Sequence, residues 1–385
     1  MRRALALLCL LLALPAAAGA HARFHGPLAH AADFVPNDPG RPADPTGWQA
    51  IQWNFVGPFG VNALSAWNNV AAVGRPGGKG VVVAVLDTGV AYANHGKYRK
   101  SPDLSKTTFV QGYDFIDHDI HADDPQGHGT HVASTIAEAT NNGFGLTGLA
   151  FGVRIMPVRV LDSQGEGDAG TIAKGVRWAV RRGANVINLS LEFSTDVTAS
   201  EIPALIKAID YAHAKGAVVV AASGNEAYTA VAYPARANYV ISVGATTEHG
   251  CLADYSNQGR GLDLVAPGGG GDTDTMADDP NCRPDETPGH DISQITYVDA
   301  HRHFGIDREE GTSMAVPHVS ATAALIIASG VLGKNPRPTA ILQRMEATAH
   351  DLGTPGYDTA SGWGLIDAGA ATTPGGPARP AGTRG

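Results

Sequence analysis

The segment Gly311-Thr312-Ser313-Met314-Ala315-Val316-Pro317-His318-Val319 sets a serine behind a small flexible pair and ahead of an apolar run, Val319 to Ser329, of helical character. That pattern predicts a hydroxyl in the first turn of a helix, where unpaired backbone N–H groups and the helix dipole favour negative charge. A serine so placed can act as a nucleophile whose own N–H helps to hold an oxyanion, and it can equally serve only as a helix cap. Two further segments tip the balance. Val81-Val82-Val83-Ala84-Val85-Leu86-Asp87-Thr88-Gly89-Val90 reads as a strand buried on both faces of a parallel sheet, with an acid at the carboxyl end where open α/β sheets build their sites. Gly127-His128-Gly129-Thr130-His131-Val132-Ala133 places His128 at a helix start between glycines that let the backbone pass close to a substrate. His128 and His131 also share a helix face, as a metal pair would, but no glutamate or third histidine stands at the spacing of a helical zinc motif. In chain order the three give Asp87, His128 and Ser313, the types an acyl transfer needs. Ser313 Oγ attacks a carbonyl carbon, His128 takes its proton and delivers it to the leaving group, and Asp87 fixes the imidazole tautomer and stabilises the imidazolium.

With these motifs the chain resembles the subtilisin-like serine proteases (subtilases) over about residues 36 to 370, closest in pattern to thermitase-type members. The resemblance implies a secreted serine endopeptidase with protein or peptide substrates. It also implies an oxyanion donor: Asn225, in Ala221-Ala222-Ser223-Gly224-Asn225-Glu226, matches the asparagine whose side-chain amide serves that purpose. Substrate is expected along Ser190, Leu191 and Glu192 and beside Ala222, Ser223 and Gly224, pairing main chain to main chain as an added strand. Glu192 stands where a glycine is usual, so either its carboxylate reaches the pocket rim and favours Lys or Arg before the cut bond, or the side chain points to solvent. The resemblance further implies structural Ca2+ held by Asp38, Asp103 and the Asn142 side chain with the carbonyls of Ala139, Phe144 and Leu146, oxygen donors throughout, and no catalytic metal. The acids Asp114, Asp117, Asp119, Asp123 and Asp124 read as a solvated loop or a second, weaker cation site. Subtilases usually carry an N-terminal prodomain, and the stretch from His21 to Pro36 is too short for one.

The elements that must position these residues alternate. Strands are predicted at 81–86, 153–160, 184–190, 217–222 and 239–245, and helices at 61–73, 130–140, 169–182, 201–215, 314–329 and 337–348. Such alternation predicts an α/β fold, a mostly parallel central sheet with helices on both faces, as in subtilases. The peptidase domain is expected over 51–372 as a single domain, with a Gly/Asp/Pro-rich insertion at 268–310. A polar arm at 21–50 is expected to be extended, and the tail at 373–385 to be disordered.

Composition sets the outer limits. Of 385 residues 43% are hydrophobic and 17% charged, an ordinary globular balance. The net charge of −9 argues against nucleic acid as a partner. Met1-Arg2-Arg3, an apolar run from Ala4 to Leu14, and Ala18-Gly19-Ala20 read as a secretory signal peptide at 1–20, too short for a membrane span. No later stretch is expected to cross a bilayer. Cys9 leaves with the leader; Cys251 and Cys282, a pair in an exported chain, are expected to form a disulfide, the alternative being two buried thiols. A monomer is expected. A catalytically weak peptide-binding relative of the same fold remains the rival reading. An esterase with the same triad would need a Gly-x-Ser-x-Gly elbow, which Ser313 lacks.

Overall fold

Six consecutive buried residues, Val82 to Asp87, form an inner strand of the sheet, its first five apolar because a strand covered on both faces has no side exposed to water. The computed structural model describes residues 34–41, 46–273, 281–284, 289–299 and 302–377. The expected signal peptide at 1–20, most of the expected arm, parts of the insertion and the end of the tail lie outside the described residues. The strands are β1 (Val82–Asp87), β2 (Thr108–Phe109), β3 (Tyr113–Asp114), β4 (Arg154–Arg159), β5 (Val186–Leu189), β6 (Val218–Ala222), β7 (Val240–Thr246) and β8 (Leu264–Pro267). They form one sheet of order β2-β4-β1-β5-β6-β7-β8, with β3 also beside β4. Every pairing in it is parallel.

The helices are α1 (Trp53–Val56), α2 (Ala63–Ala72), α3 (His128–Ala137), α4 (Ala169–Arg181), α5 (Pro203–Ala214), α6 (Thr312–Ser329), α7 (Pro338–Thr348) and α8 (Ala368–Thr372). Successive residues of β1 feed opposite sides: Val83 and Val85 pack with α2, α3 and α6, whereas Val82, Ala84 and Leu86 pack with α4 and α5. The result is three layers in a single α/β domain. The six predicted helices and five predicted strands are all present, with ends moved by at most three residues. Helix α6 is apolar over 18 residues, long enough by length and composition to cross a membrane, but most of it is buried within the protein.

Three expectations change. The arm is not uniformly extended: Gly47–Ala50 makes a 3-10 turn, and Trp48 is buried in the main core with its indole N–H on the Pro36 carbonyl at 3.0 Å. The insertion is more than a loop. It contains an antiparallel hairpin, β9 (Ile292–Tyr297) and β10 (Phe304–Glu309), docked on α3. All of β9 is buried, and His131 Nε2 meets the Ile292 carbonyl at 3.0 Å, which accounts for that histidine structurally. The acidic loop is internally answered: Arg159 pairs with Asp114 at 2.8 Å and Asp117 at 2.7 Å. Cys251 and Cys282 are joined, as expected, with their Cα atoms 4.5 Å apart.

Candidate active site

Three neighbouring strands deliver the site, because β1, β5 and β6 end side by side at the carboxyl edge of the sheet. The chain changes direction there: β4 is laid on one side of β1 and β5 on the other, which opens a crevice at the strand ends. Asp87 closes β1 and is fully buried. Helix α3 starts against it. Thr88 Oγ1 accepts from Gly129 N at 3.0 Å and donates to Asp124 Oδ1 at 2.9 Å, while Asp124 Oδ2 accepts from Thr130 N at 2.9 Å. Asp124 thereby satisfies N–H groups that the helix start leaves unpaired. Gly129 is required by this approach, since a Cβ there would run into the Gly89 carbonyl and lie 3.0 Å from Asp87 Cβ.

His128 Nδ1 bonds to Asp87 Oδ1 at 2.7 Å. A carboxylate can only accept, so Nδ1 carries the hydrogen and the neutral ring keeps Nε2 as an acceptor. The imidazole is 22% exposed. Burial pulls its pKa down, but Asp87, by charge and hydrogen bond, outweighs burial and with Glu309 and Asp124 pushes the net value up to about 9. Ser313 is the second residue of α6, entered through Gly311 at φ 145°, a backbone region that favours glycine. Its hydroxyl donates to the Ser190 carbonyl at 3.3 Å, the hydrogen bond it makes among the described residues. His128, Ser313, Asn225, Ser190, Leu191 and Glu192 all line one cavity of about 560 Å³.

Asn225 follows β6 through Gly224, and Thr312 orients it: Asn225 Oδ1 accepts from Thr312 N at 2.8 Å and Thr312 Oγ1 at 3.0 Å. Its Nδ2 donates to Glu192 Oε1 at 2.9 Å. Glu192 therefore does not point away to solvent. Burial raises its pKa, the Asn225 hydrogen bond lowers it, Glu226 raises it and His128 lowers it. Ala222, Ser223 and Gly224 lie buried at the end of β6, next to Asn225, and are not among the residues that line the cavity. The Ser223 hydroxyl is spent on the Asn257 carbonyl at 2.9 Å. Thr312, Thr88, Asp124 and Tyr255, whose hydroxyl accepts from Gly311 N at 2.9 Å, were not legible in the sequence. Apart from the near neighbours of Asp124, which also takes Gln126 N, Gly127 N and Thr130 N, the partners named here lie far along the chain.

The residues expected at a cation are together. Asp38 accepts from Asn141 N at 2.7 Å and Asn142 N at 2.8 Å, and Asp103 from Asn142 Nδ2 at 2.7 Å and Leu146 N at 2.8 Å. Ala139 N donates to the Asp103 carbonyl at 2.8 Å, and Phe144 N to Asn142 Oδ1 at 2.8 Å. Both carboxylates are buried, and among the described residues no Lys or Arg pairs with either. Burial pushes Asp103 up to about 7, with Asp38 adding to the rise. No three His, Cys, Asp or Glu side chains among the described residues could hold a metal by themselves. The amide and loop carbonyls must therefore complete any site. Oxygen donors of this kind are what a hard cation takes, but Asn142 here gives its nitrogen to Asp103 and its oxygen to Phe144 N, so its amide would have to turn and give up both bonds to serve as a ligand.

A profile of the subtilase family (Peptidase S8) matches residues 78–364. The chain is 36% identical over 299 residues to a thermophilic serine proteinase of Bacillus sp. (strain AK1), covering 78% of this chain and 61% of that protein. It is 36% identical to a cell wall-associated protease of Bacillus subtilis (strain 168), of which it spans 30%. It is 37% identical to subtilisin BL of Lederbergia lenta, covering 77% of this chain and 91% of that one. Among solved structures, a protease from Pseudoalteromonas arctica PAMC 21717 superposes with a TM-score of 0.69 at 30% identity, over 88% of this chain and 98% of that one. The chain belongs to the subtilase family. It spans less than two thirds of the first two of these curated relatives.

Proposed function

We propose that this protein is a secreted serine-type endopeptidase that cuts protein or peptide substrates through an acyl-enzyme intermediate. The observation that carries the reading is the 2.7 Å bond from His128 to the buried Asp87, on a cavity that Ser313 also lines. Ser313 Oγ attacks the scissile carbonyl. Its proton passes to His128 Nε2, and the imidazolium is stabilised by Asp87. Charge developing on the carbonyl oxygen is met by the Ser313 N–H at the start of α6 and by Asn225 Nδ2. His128 returns the proton to the leaving amine, and the acyl-enzyme is then hydrolysed with His128 as base. Substrate main chain pairs along Ser190 to Glu192. Asp38, Asp103, the Asn142 side chain and the carbonyls of Ala139, Phe144 and Leu146 hold a structural calcium ion, which ties the N-terminal segment to the loop after α3 and takes no part in the chemistry. The chain acts as a monomer outside the cell after loss of residues 1–20.

A fluorophosphonate probe tests the reading. It should label the wild type at Ser313, found by peptide mapping, and Ser313→Ala should lose both labelling and nearly all peptidase activity. His128→Ala added to Ser313→Ala should lower activity little further, since the members act as a unit. Labelling at another serine, or strictly additive losses, would remove the triad.

A further inference from the structure

Asn225 is held on one side and engaged on the other. Only its oxygen can accept from Thr312 N and Oγ1, so the amide orientation is fixed and Nδ2 is the end turned to Glu192. The group that would stabilise an oxyanion already serves an anion. Glu192 opposes turnover in two ways. It occupies one N–H of the donor, and it sets a negative charge beside the place where the oxyanion's charge develops. Like charges at short range in a partly desolvated cleft repel strongly. Within the cavity only His128 can offset that charge. The lining holds a second carboxylate, Glu166, and among the described residues no Lys or Arg, with His128 the one side chain there that can become cationic. Beyond the lining, Glu226, on the Asn225 loop, adds further negative charge facing Glu192 and is itself tied to Asn257 Nδ2.

We infer that Glu192 is a charge-released latch on Asn225, and that a cationic side chain on the residue before the scissile bond opens it. The inference rests on the peptidase reading and deepens it. A lysine or arginine entering beside Ser190 to Glu192 forms an ion pair with the carboxylate, draws it from Nδ2 and cancels its charge, so the donor becomes free as the oxyanion forms. An uncharged side chain of similar length fills the same space but leaves the latch closed. Discrimination therefore appears in kcat more than in KM, because what is released acts on the transition state. Glu192 is a positioning residue: no bond to it is made or broken, and no proton is transferred by it.

The test compares two peptides that differ only by lysine or norleucine before the cut bond. They are assayed on wild type, Glu192→Gln and Glu192→Gly, each titrated with a fluorophosphonate so that kcat refers to competent sites. The wild type should turn over the lysine peptide about tenfold faster or more in kcat, the worth of one charge-assisted hydrogen bond. Glu192→Gln keeps an acceptor for Asn225 without the charge and should bring the two kcat values together. Glu192→Gly should do so by raising kcat for norleucine. Equal kcat values in the wild type overturn the inference without need of any variant. So does a lysine preference confined to KM, or one that survives in Glu192→Gln. A wild type that titrates fully yet shows any of these leaves the peptidase reading standing. A wild type that takes no label overturns both.

Discussion

His128 donates to Asp87 and is held nearly ready to carry a proton, which has a consequence in pH. The base must be neutral to accept from Ser313, and its pKa is pushed up to about 9. Peptidase kcat/KM should therefore rise with pH, pass its half-maximum near pH 9 and level off only above it. The stability contribution of the pair runs the opposite way. It is fully present below the ordinary histidine value of about 6.5 and is lost as pH climbs through about 9. A pH profile of kcat/KM, paired with melting temperatures over the same range, checks both; a plateau already reached at neutral pH would show that Asp87 does not retain the proton there. Asn225→Leu should keep fold and fluorophosphonate labelling while lowering kcat about 10²- to 10³-fold, roughly 3–4 kcal/mol, as loss of one oxyanion donor does. Unchanged kcat in folded protein would take Asn225 out of the site.

Helices and strands bring those residues together by their ends. Asp87 lies at the end of β1, Asn225 just past β6, His128 at the start of α3 and Ser313 at the start of α6. Strand carboxyl ends and helix amino ends meet at one edge of a parallel sheet, so the edge gathers unpaired N–H groups and positive dipole ends. The hairpin β9–β10 braces this edge from behind α3, through the Ser134 hydroxyl on the Ile295 carbonyl at 3.3 Å and Ile295 N on Glu138 at 3.2 Å. The segment leading to it is anchored by Cys251–Cys282, which closes a loop 31 positions long. Loop-closure entropy assigns such a bridge about 3–4 kcal/mol. Cys251→Ser with Cys282→Ser should lower unfolding free energy by up to that amount. Intact mass before and after reduction with alkylation checks the bridge itself, and two thiols alkylated without reductant would refute it.

At the scale of the molecule, the proposed calcium ion joins three distant stretches, around Asp38, Asp103 and Asn142. An ion bound by the folded chain and not by its separated ligands stabilises by RT ln(1 + [L]/Kd), about 2.7 kcal/mol at 100 times Kd. EDTA should lower the melting temperature and speed self-digestion. Asp38→Ala with Asp103→Ala should reproduce the loss and leave the protein indifferent to the chelator. Identical melting curves with calcium and with EDTA would reject the ion.

The sequence alone determined the alternation of five strands and six helices, the parallel sheet, and Asp87, His128 and Ser313 as the residues to watch; the resemblance to subtilases added Asn225. Those properties follow from local pattern: an all-apolar strand ending in an acid, and a small-residue turn opening a helix, are written in consecutive residues. Tertiary structure decided the rest. Only folding set Glu192 against Asn225, 33 positions away, placed Thr312 to orient that amide, and drew Arg159 into the acidic loop. It also buried Trp48 and paired β9 with β10, whose alternation is masked in sequence by Gly, Asp and Pro around it. Contacts between distant segments depend on which face each element presents once the layers close, and no local pattern carries that information.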